Sequence, residues 1–141
     1  MKIQLFIQQY KDIMTQFEDC QMVEINQLNA VPDACCSLLH LGNCCDFVSN
    51  QNELLQQCVK KLKYGGQIIV EGTDLAETSF GMAHNIISLN QAQDLLFKGR
   101  NSCTTIYDVT NILQQFNLNI LKKRLMQYRY FIRAERPNVQ I

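Results

Sequence analysis

At 141 residues, 47% apolar and 18% charged, the chain has the size and composition of one folded globular domain and not of a disordered segment. No apolar run approaches the roughly 20 residues that a membrane-spanning helix needs, and the N-terminal apolar stretch is too short for a secretory signal, so a single cytoplasmic domain over residues 1–141 is expected. The net charge is zero but unevenly spread: residues 1–97 hold five Lys and eleven Asp or Glu, residues 98–141 eight Lys or Arg and two acids.

In chain order, IQLFIQ (3–8) reads as a short strand. Apolar residues at 10, 13, 14 and 17 then have helical spacing, and an extended segment, QMVEINQL (21–28), follows. Pro32-Asp33 breaks the chain before ACCSLLHL (34–41), a compact apolar strand ending at Gly42-Asn43. From Gln51 to Lys63 the apolar positions 54, 55, 58, 59 and 62 form one face of an amphipathic helix. Ser49 or Asn50 suits its N-cap and Glu53 its first turn; Lys60, Lys61 and Lys63 complement the dipole at its end. Gly65-Gly66 is expected to stop this helix, and QIIV to form a strand buried on both faces. Strand, helix and strand with tight glycine punctuation make a right-handed βαβ unit with parallel strands.

Residues 76–101 are less regular. NQAQDLLF (90–97) reads as a short helix capped by Asn90 with Gln93 three residues on, closed by Lys98-Gly99-Arg100. A second amphipathic helix spans Thr105 to Phe116, with Ile106, Val109, Ile112, Leu113 and Phe116 on one face. LNILKKRLM and YRYFIRAE lie too close in sequence for a crossover helix, so they should pair as an antiparallel hairpin.

Seven cysteines (20, 35, 36, 44, 45, 58 and 103) are too few and too irregular for a disulfide scaffold. On a strand, adjacent residues point to opposite faces, so Cys35-Cys36 and Cys44-Cys45 should each split their thiols. Reduced, small apolar core or loop residues are expected, and no metal site.

The order of elements resembles the second half of class I S-adenosylmethionine-dependent methyltransferases. ACCSLLHLGN resembles the family's fourth strand with its loop, ELLQQCVKKLKYGGQIIVEG the helix leading into the fifth strand, and LNILKKRLMQYRYFIRAERP the closing hairpin. Tyr64 stands where the family's leucine-lysine-proline-glycine-glycine pattern has proline. The resemblance covers residues 33–136 and implies an α/β fold: an open, mostly parallel sheet flanked by helices and ending in an antiparallel β-hairpin. The family holds its cofactor with a glycine-rich loop after the first strand, and backbone so close to a ligand needs glycine. Here the first glycine is Gly42. The expectation is a truncated Rossmann-like domain, shortened at its N-terminus and lacking that loop.

Ligands of open α/β sheets sit at strand carboxyl ends. His40 and Asn43 fall at the end of one parallel strand, and Glu71, Thr73 and Asp74 at the end of its neighbour. In a methyltransferase, His40, Glu71 or Asp74 would be base or orienting group toward the methyl acceptor, Glu24 the acid ending the second strand, and Asn43 a second cofactor contact. The alternative is structural: Asp74 caps the next segment, Glu71 is solvated and His40 is a hydrogen-bonded loop residue. His84 could come over the same rim as part of a lid, or lie at the surface. Gly99-Arg100-Asn101-Ser102 offers an anion site or simply an N-cap at Ser102.

Two functions stand side by side. One is a noncatalytic, degenerate methyltransferase-like module with no cofactor expected. It would hold a protein partner or a second copy through an exposed sheet edge, with Lys122, Lys123, Arg124, Arg129 and Arg133 as the partner-binding side chains. The other is an S-adenosylmethionine-dependent methyltransferase, or a fragment of one, whose cofactor loop is remodelled or supplied by another chain. Nucleic acid is the less favoured partner of the basic hairpin, because its alternation of Tyr and Arg also suits a half-buried strand. No membrane partner is expected.

Overall fold

The computed structural model describes residues 1–13, 17 and 19–138. Six strands form one sheet in the order β2-β1-β3-β4-β6-β5, namely β1 (Lys2–Phe6), β2 (Gln21–Glu24), β3 (Cys36–His40), β4 (Leu62–Thr73), β5 (Asn119–Met126) and β6 (Arg129–Glu135). The first four pair in parallel; β6 runs antiparallel to β4 and β5. This is the expected α/β sheet, mostly parallel and closed by a hairpin. At the hairpin turn Gln127 and Tyr128 have φ of 51° and 68°, as a two-residue loop with the twist of its strands requires.

Helix α1 (Gln51–Lys61) begins where predicted: the Asn50 side chain accepts from the Glu53 amide at 3.0 Å. It buries Leu54, Leu55 and Cys58. Helix α4 (Ile106–Gln115) buries Ile106, Val109 and Leu113 and packs beside α1 on the sheet. Between them lie Leu39, Ile68, Val70, Ile132 and Ala134, all fully buried. These residues alternate along their strands and share one face by register.

The opposite face differs: Gln4, His40 and Ile69 on it are buried, with Phe17 over the His40 ring. Leu38, Gln67, Glu71, Phe131 and Arg133 share it and are half-buried, and none of the described helices packs along it. The flanking helices α1 and α4 thus lie on one side only, whereas parallel sheets ordinarily carry helices on both.

Several local expectations are corrected. The double glycine does not stop α1, which ends at Lys61. It lies inside β4, where Leu62 to Gln67 is matched on β3 by Cys36 to Leu38. Gly65 has φ +79°, and a Cβ on Gly66 would fall 2.5 Å from the Cys36 carbonyl oxygen, so glycine here lets two backbones meet across a bulge. Only Gln21–Glu24 of the second extended segment is a strand; Ile25–Ala30 forms a 3-10 helix. The helical spacing of 10–17 yields a 3-10 helix over Gln8–Ile13, and residues 14–16 lie outside the described residues.

The segment read as irregular contains helix α2 (Leu75–Ala83), started by Asp74. Helix α3 (Leu89–Leu96) is capped two residues earlier than expected, by a reciprocal Ser88–Gln91 box in place of Asn90 and Gln93. Thr105, not Ser102, caps α4.

The cysteines are free. Cys36, Cys44, Cys45 and Cys58 are buried, and desolvation pushes the Cys36 and Cys44 thiols up to about 12. The Cys35 and Cys36 sulfurs do not diverge: they lie 3.7 Å apart, because Cys35 precedes the strand. Cys44 and Cys45 sit on a 3-10 helix, Cys44–Phe47, not on a strand. Among the described residues no group of His, Cys, Asp or Glu is placed to hold a metal ion.

Candidate functional site

The carboxyl ends of β1, β3 and β4 form one rim, and most of the singled-out residues meet there. Gly42 and Asn43 turn the chain out of β3 next to Glu71, whose amide donates to the Gly42 carbonyl at 2.9 Å. Gly42 takes φ +55°, and none of the described residues lies within 4 Å of where its Cβ would be. Glu71 is half-buried; desolvation raises its carboxyl pKa, against the Arg129 charge, which lowers it.

His40 is 4% exposed. Its Nδ1 accepts from the Gly42 amide at 3.0 Å, so the neutral ring carries its proton on Nε2. Phe17 lies over it at 4.0 Å between ring centroids. Burial, with the nearby Arg133 charge, pulls its pKa down to about 4. His40 is thus a neutral ring at physiological pH.

Asp74 is committed. Its Oδ1 accepts from the Glu77 amide and its Oδ2 from the Ile106 amide, both at 2.8 Å, so one carboxylate serves the N-termini of α2 and α4. His84 is exposed at the end of α2 and stacks on Phe80 of its own helix.

Arg100, offered as an anion ligand, already has partners. Its Nε approaches Asp46 Oδ2 at 3.5 Å, and its Nη1 donates to the Asp94 and Lys98 carbonyls. Ser102 donates to the Cys45 carbonyl.

The sequence reading missed Asp46 and Tyr130. Asp46 is 1% exposed, and its Oδ2 also accepts from the Thr73 amide at 3.1 Å. Its Oδ1, the Tyr130 hydroxyl and the Thr73 hydroxyl are buried without a hydrogen-bond partner. Tyr130 Oη and Asp46 Oδ1 lie 2.7 and 2.9 Å from where a Gly72 Cβ would stand. Desolvation raises the pKa of both groups. The available signal was a lone acid inside the apolar run CCDFV.

A methyl donor is implied by the resemblance, and the residues after β1 test it. The β1 loop runs through Ile7 and a 3-10 helix without glycine. Tyr10 stacks on Phe47 at 4.3 Å, its hydroxyl donates to the Gly99 carbonyl at 2.9 Å, and Arg100 lies over the same Phe47 ring. The ends of β1 and β3 are therefore bridged by the chain's own aromatic side chains. Glu24 does end β2, paired with Phe6. No glycine stands in the β1 loop, and Tyr10 reaches from it onto Phe47.

The hairpin residues divide by face. Lys122, Arg124, Arg129 and Arg133 share the face opposite α1 and α4, with Lys122 over the Phe131 ring, while Lys123 reaches Tyr107 of α4 on the other. Strand β5 is the sheet edge, and its charged residues are exposed.

No family model matches the chain, and no curated protein matches it. Solved structures do. An O-methyltransferase family protein of Burkholderia thailandensis superposes with a TM-score of 0.63 at 10% identity, over 86% of this chain and 37% of that one. An S-adenosylmethionine-dependent methyltransferase of Methanosarcina mazei gives 0.60 at 10% identity, over 84% and 68%. The 1,6-didemethyltoxoflavin-N1-methyltransferase of Burkholderia thailandensis, solved with S-adenosylhomocysteine, gives 0.55 at 11% identity, over 85% and 52%. The chain spans well under two thirds of the first and third of these. The fold is that of class I S-adenosylmethionine-dependent methyltransferases.

Proposed function

We propose that this methyltransferase-fold chain does not transfer methyl groups and serves as a module that holds a partner. One observation carries the reading: Tyr10 reaches from the β1 loop onto Phe47 and Gly99, across the rim where the fold takes its donor. Neither His40 nor Asp74 is available as a base. The one is a desolvated neutral ring whose Nδ1 is engaged; the other has both oxygens on backbone amides.

The surface supports the module reading. The β5 edge offers unpaired backbone beside Lys122, Lys123 and Arg124, and the half-buried Arg129 and Arg133 lie on the sheet face opposite α1 and α4. On α2–α3, Phe80, Met82, Leu89 and Phe97 and the connecting Ile86 are 38–70% exposed, a density of apolar surface that marks interaction sites. A protein partner or a second copy suits this mixture better than nucleic acid. No helix of the described residues is long and apolar enough to cross a membrane, and a cytoplasmic setting suits seven free thiols.

A second reading rests on Glu24, which ends β2 as the donor-binding acid of the family does: the chain is a methyltransferase, or part of one, completed by another chain. Calorimetric titration of the chain with S-adenosylmethionine and S-adenosylhomocysteine tests the first. No binding up to millimolar ligand is expected; micromolar binding overturns the noncatalytic reading.

A further inference from the structure

We propose that the cavity between the β5–β6 hairpin and the Gly42–Asn43 turn binds a small aromatic acid, its anionic head between Arg124 and Arg129 and its ring against Phe131. The proposal is independent of whether the chain binds a methyl donor, since the anion-binding groups it invokes, Arg124 and Arg129, come from the hairpin and not from the β1 loop.

The cavity holds about 520 Å³, within the range of small-ligand sites. Across the hairpin Arg124 pairs with Phe131 and Met126 with Arg129, so both guanidinium groups and the phenyl ring rise from one face into one space. Phe17 and Phe131 supply apolar wall, and Gly42 lines the cavity beside them.

The state of the arginines points to an anion. Arg100 and Arg136 donate to protein oxygens, Arg136 to the Leu62 carbonyl. Arg124 and Arg129 have neither a hydrogen bond nor an ion pair among the described residues, although Arg129 is half-buried. A partly desolvated guanidinium without an acceptor is unfavourable, and its planar donor fork matches a carboxylate or phosphate head. Asn43 makes no side-chain capping bond and is free to donate beside them. Among the described residues, Glu71 is the only acid lining the cavity. Among these lining residues two guanidinium groups stand against one carboxylate.

The test is titration with phenyl phosphate and benzoate, followed by amide NMR shifts, with inorganic phosphate and neutral methyl benzoate as comparisons. At least one aromatic acid should bind about tenfold or more tighter than inorganic phosphate, with the largest shifts at Gly42, Asn43 and Phe131. Methyl benzoate should not bind. Arg129→Gln and the exposed Arg124→Gln should each weaken binding by about tenfold, while Lys63→Gln at the far end of β4 should not. Equal affinity for inorganic phosphate, no binding of either acid, or full affinity in Arg124→Gln overturns the proposal. Arg124 is at the surface, so the last variant keeps its fold and its result stands even if Arg129→Gln does not fold.

Discussion

The Tyr10 hydroxyl donates to the carbonyl oxygen of Gly99 at 2.9 Å, joining residues 89 apart in sequence, while the Tyr10 ring stacks on Phe47. Gly99 has φ +72°, and a Cβ there would stand 3.0 Å from Tyr10 Oη. Tyr10→Phe should cost about 0.5–1 kcal/mol and Tyr10→Ala about 2–3 kcal/mol in urea unfolding, from the lost bond and then the lost stack. Gly99→Ala should also destabilise, because it strains the backbone as well as crowding the hydroxyl. An unchanged midpoint in Tyr10→Ala would show that this contact does not close the rim.

Asp74 predicts a stability effect and not a catalytic one. Removing its carboxylate in Asp74→Ala strips acceptors from two helix N-termini, at a cost of about 2–4 kcal/mol. Asp74→Asn keeps one acceptor oxygen and should lose about half as much. Chemical denaturation followed by circular dichroism decides, and equal stability of all three proteins refutes the double-cap role.

His40 sets a pH dependence with a definite sign. Its pKa falls from 6.5 to about 4 on folding, through burial and Arg133. Between those values the unfolded chain takes up a proton that the native state refuses, so this contribution is present above pH 6.5 and is lost on acidification. Relative to His40→Gln, the protein should lose up to about 1.4 kcal/mol per pH unit across that window. The raised pKa values of Glu71 and Asp46 act oppositely, and the comparison cancels them. A ¹⁵N spectrum showing His40 protonated at both nitrogens at pH 6 would contradict the burial argument.

Tyr130 gives a prediction in the unusual direction. Its hydroxyl is buried with no acceptor, so Tyr130→Phe should leave stability unchanged or raise it by about 1 kcal/mol. Gly72→Ala, which drives a methyl group to within 2.9 Å of Tyr130 and Asp46, should destabilise by about 1–3 kcal/mol. Thermal unfolding of both variants checks the pair; a large loss in Tyr130→Phe would mean the hydroxyl is bonded after all.

Much of the fold was legible because its signals are local. The amphipathic stripe of α1, the Asn50 cap, the apolar run of β4 and the short hairpin loop need only neighbours within a few residues. The local errors have local causes too. Gly-Gly reads equally as a helix stop or as a strand bulge, and only the approach of the Cys36 carbonyl chooses the bulge. Ser88 and Asn90 compete as caps for α3, and the Gln91 side chain favours Ser88. Asp74 reads equally as a catalytic acid at a strand end or as the cap of the next segment, and the Glu77 and Ile106 amides choose the cap.

The sequence by itself determined the βαβ unit of β3, α1 and β4, helix α4, the closing hairpin and the family resemblance, since periodicity and capping are written along the chain. Only the tertiary structure decided what the rim can do. That Tyr10 spans it, that Asp74 is spent on two helices, that Asp46 lies buried against Tyr130 and that α1 and α4 pack on the same sheet face all depend on contacts between distant residues. Hydrogen-bond satisfaction and desolvation are fixed by what surrounds a group in space, and a side chain's chemistry follows from them.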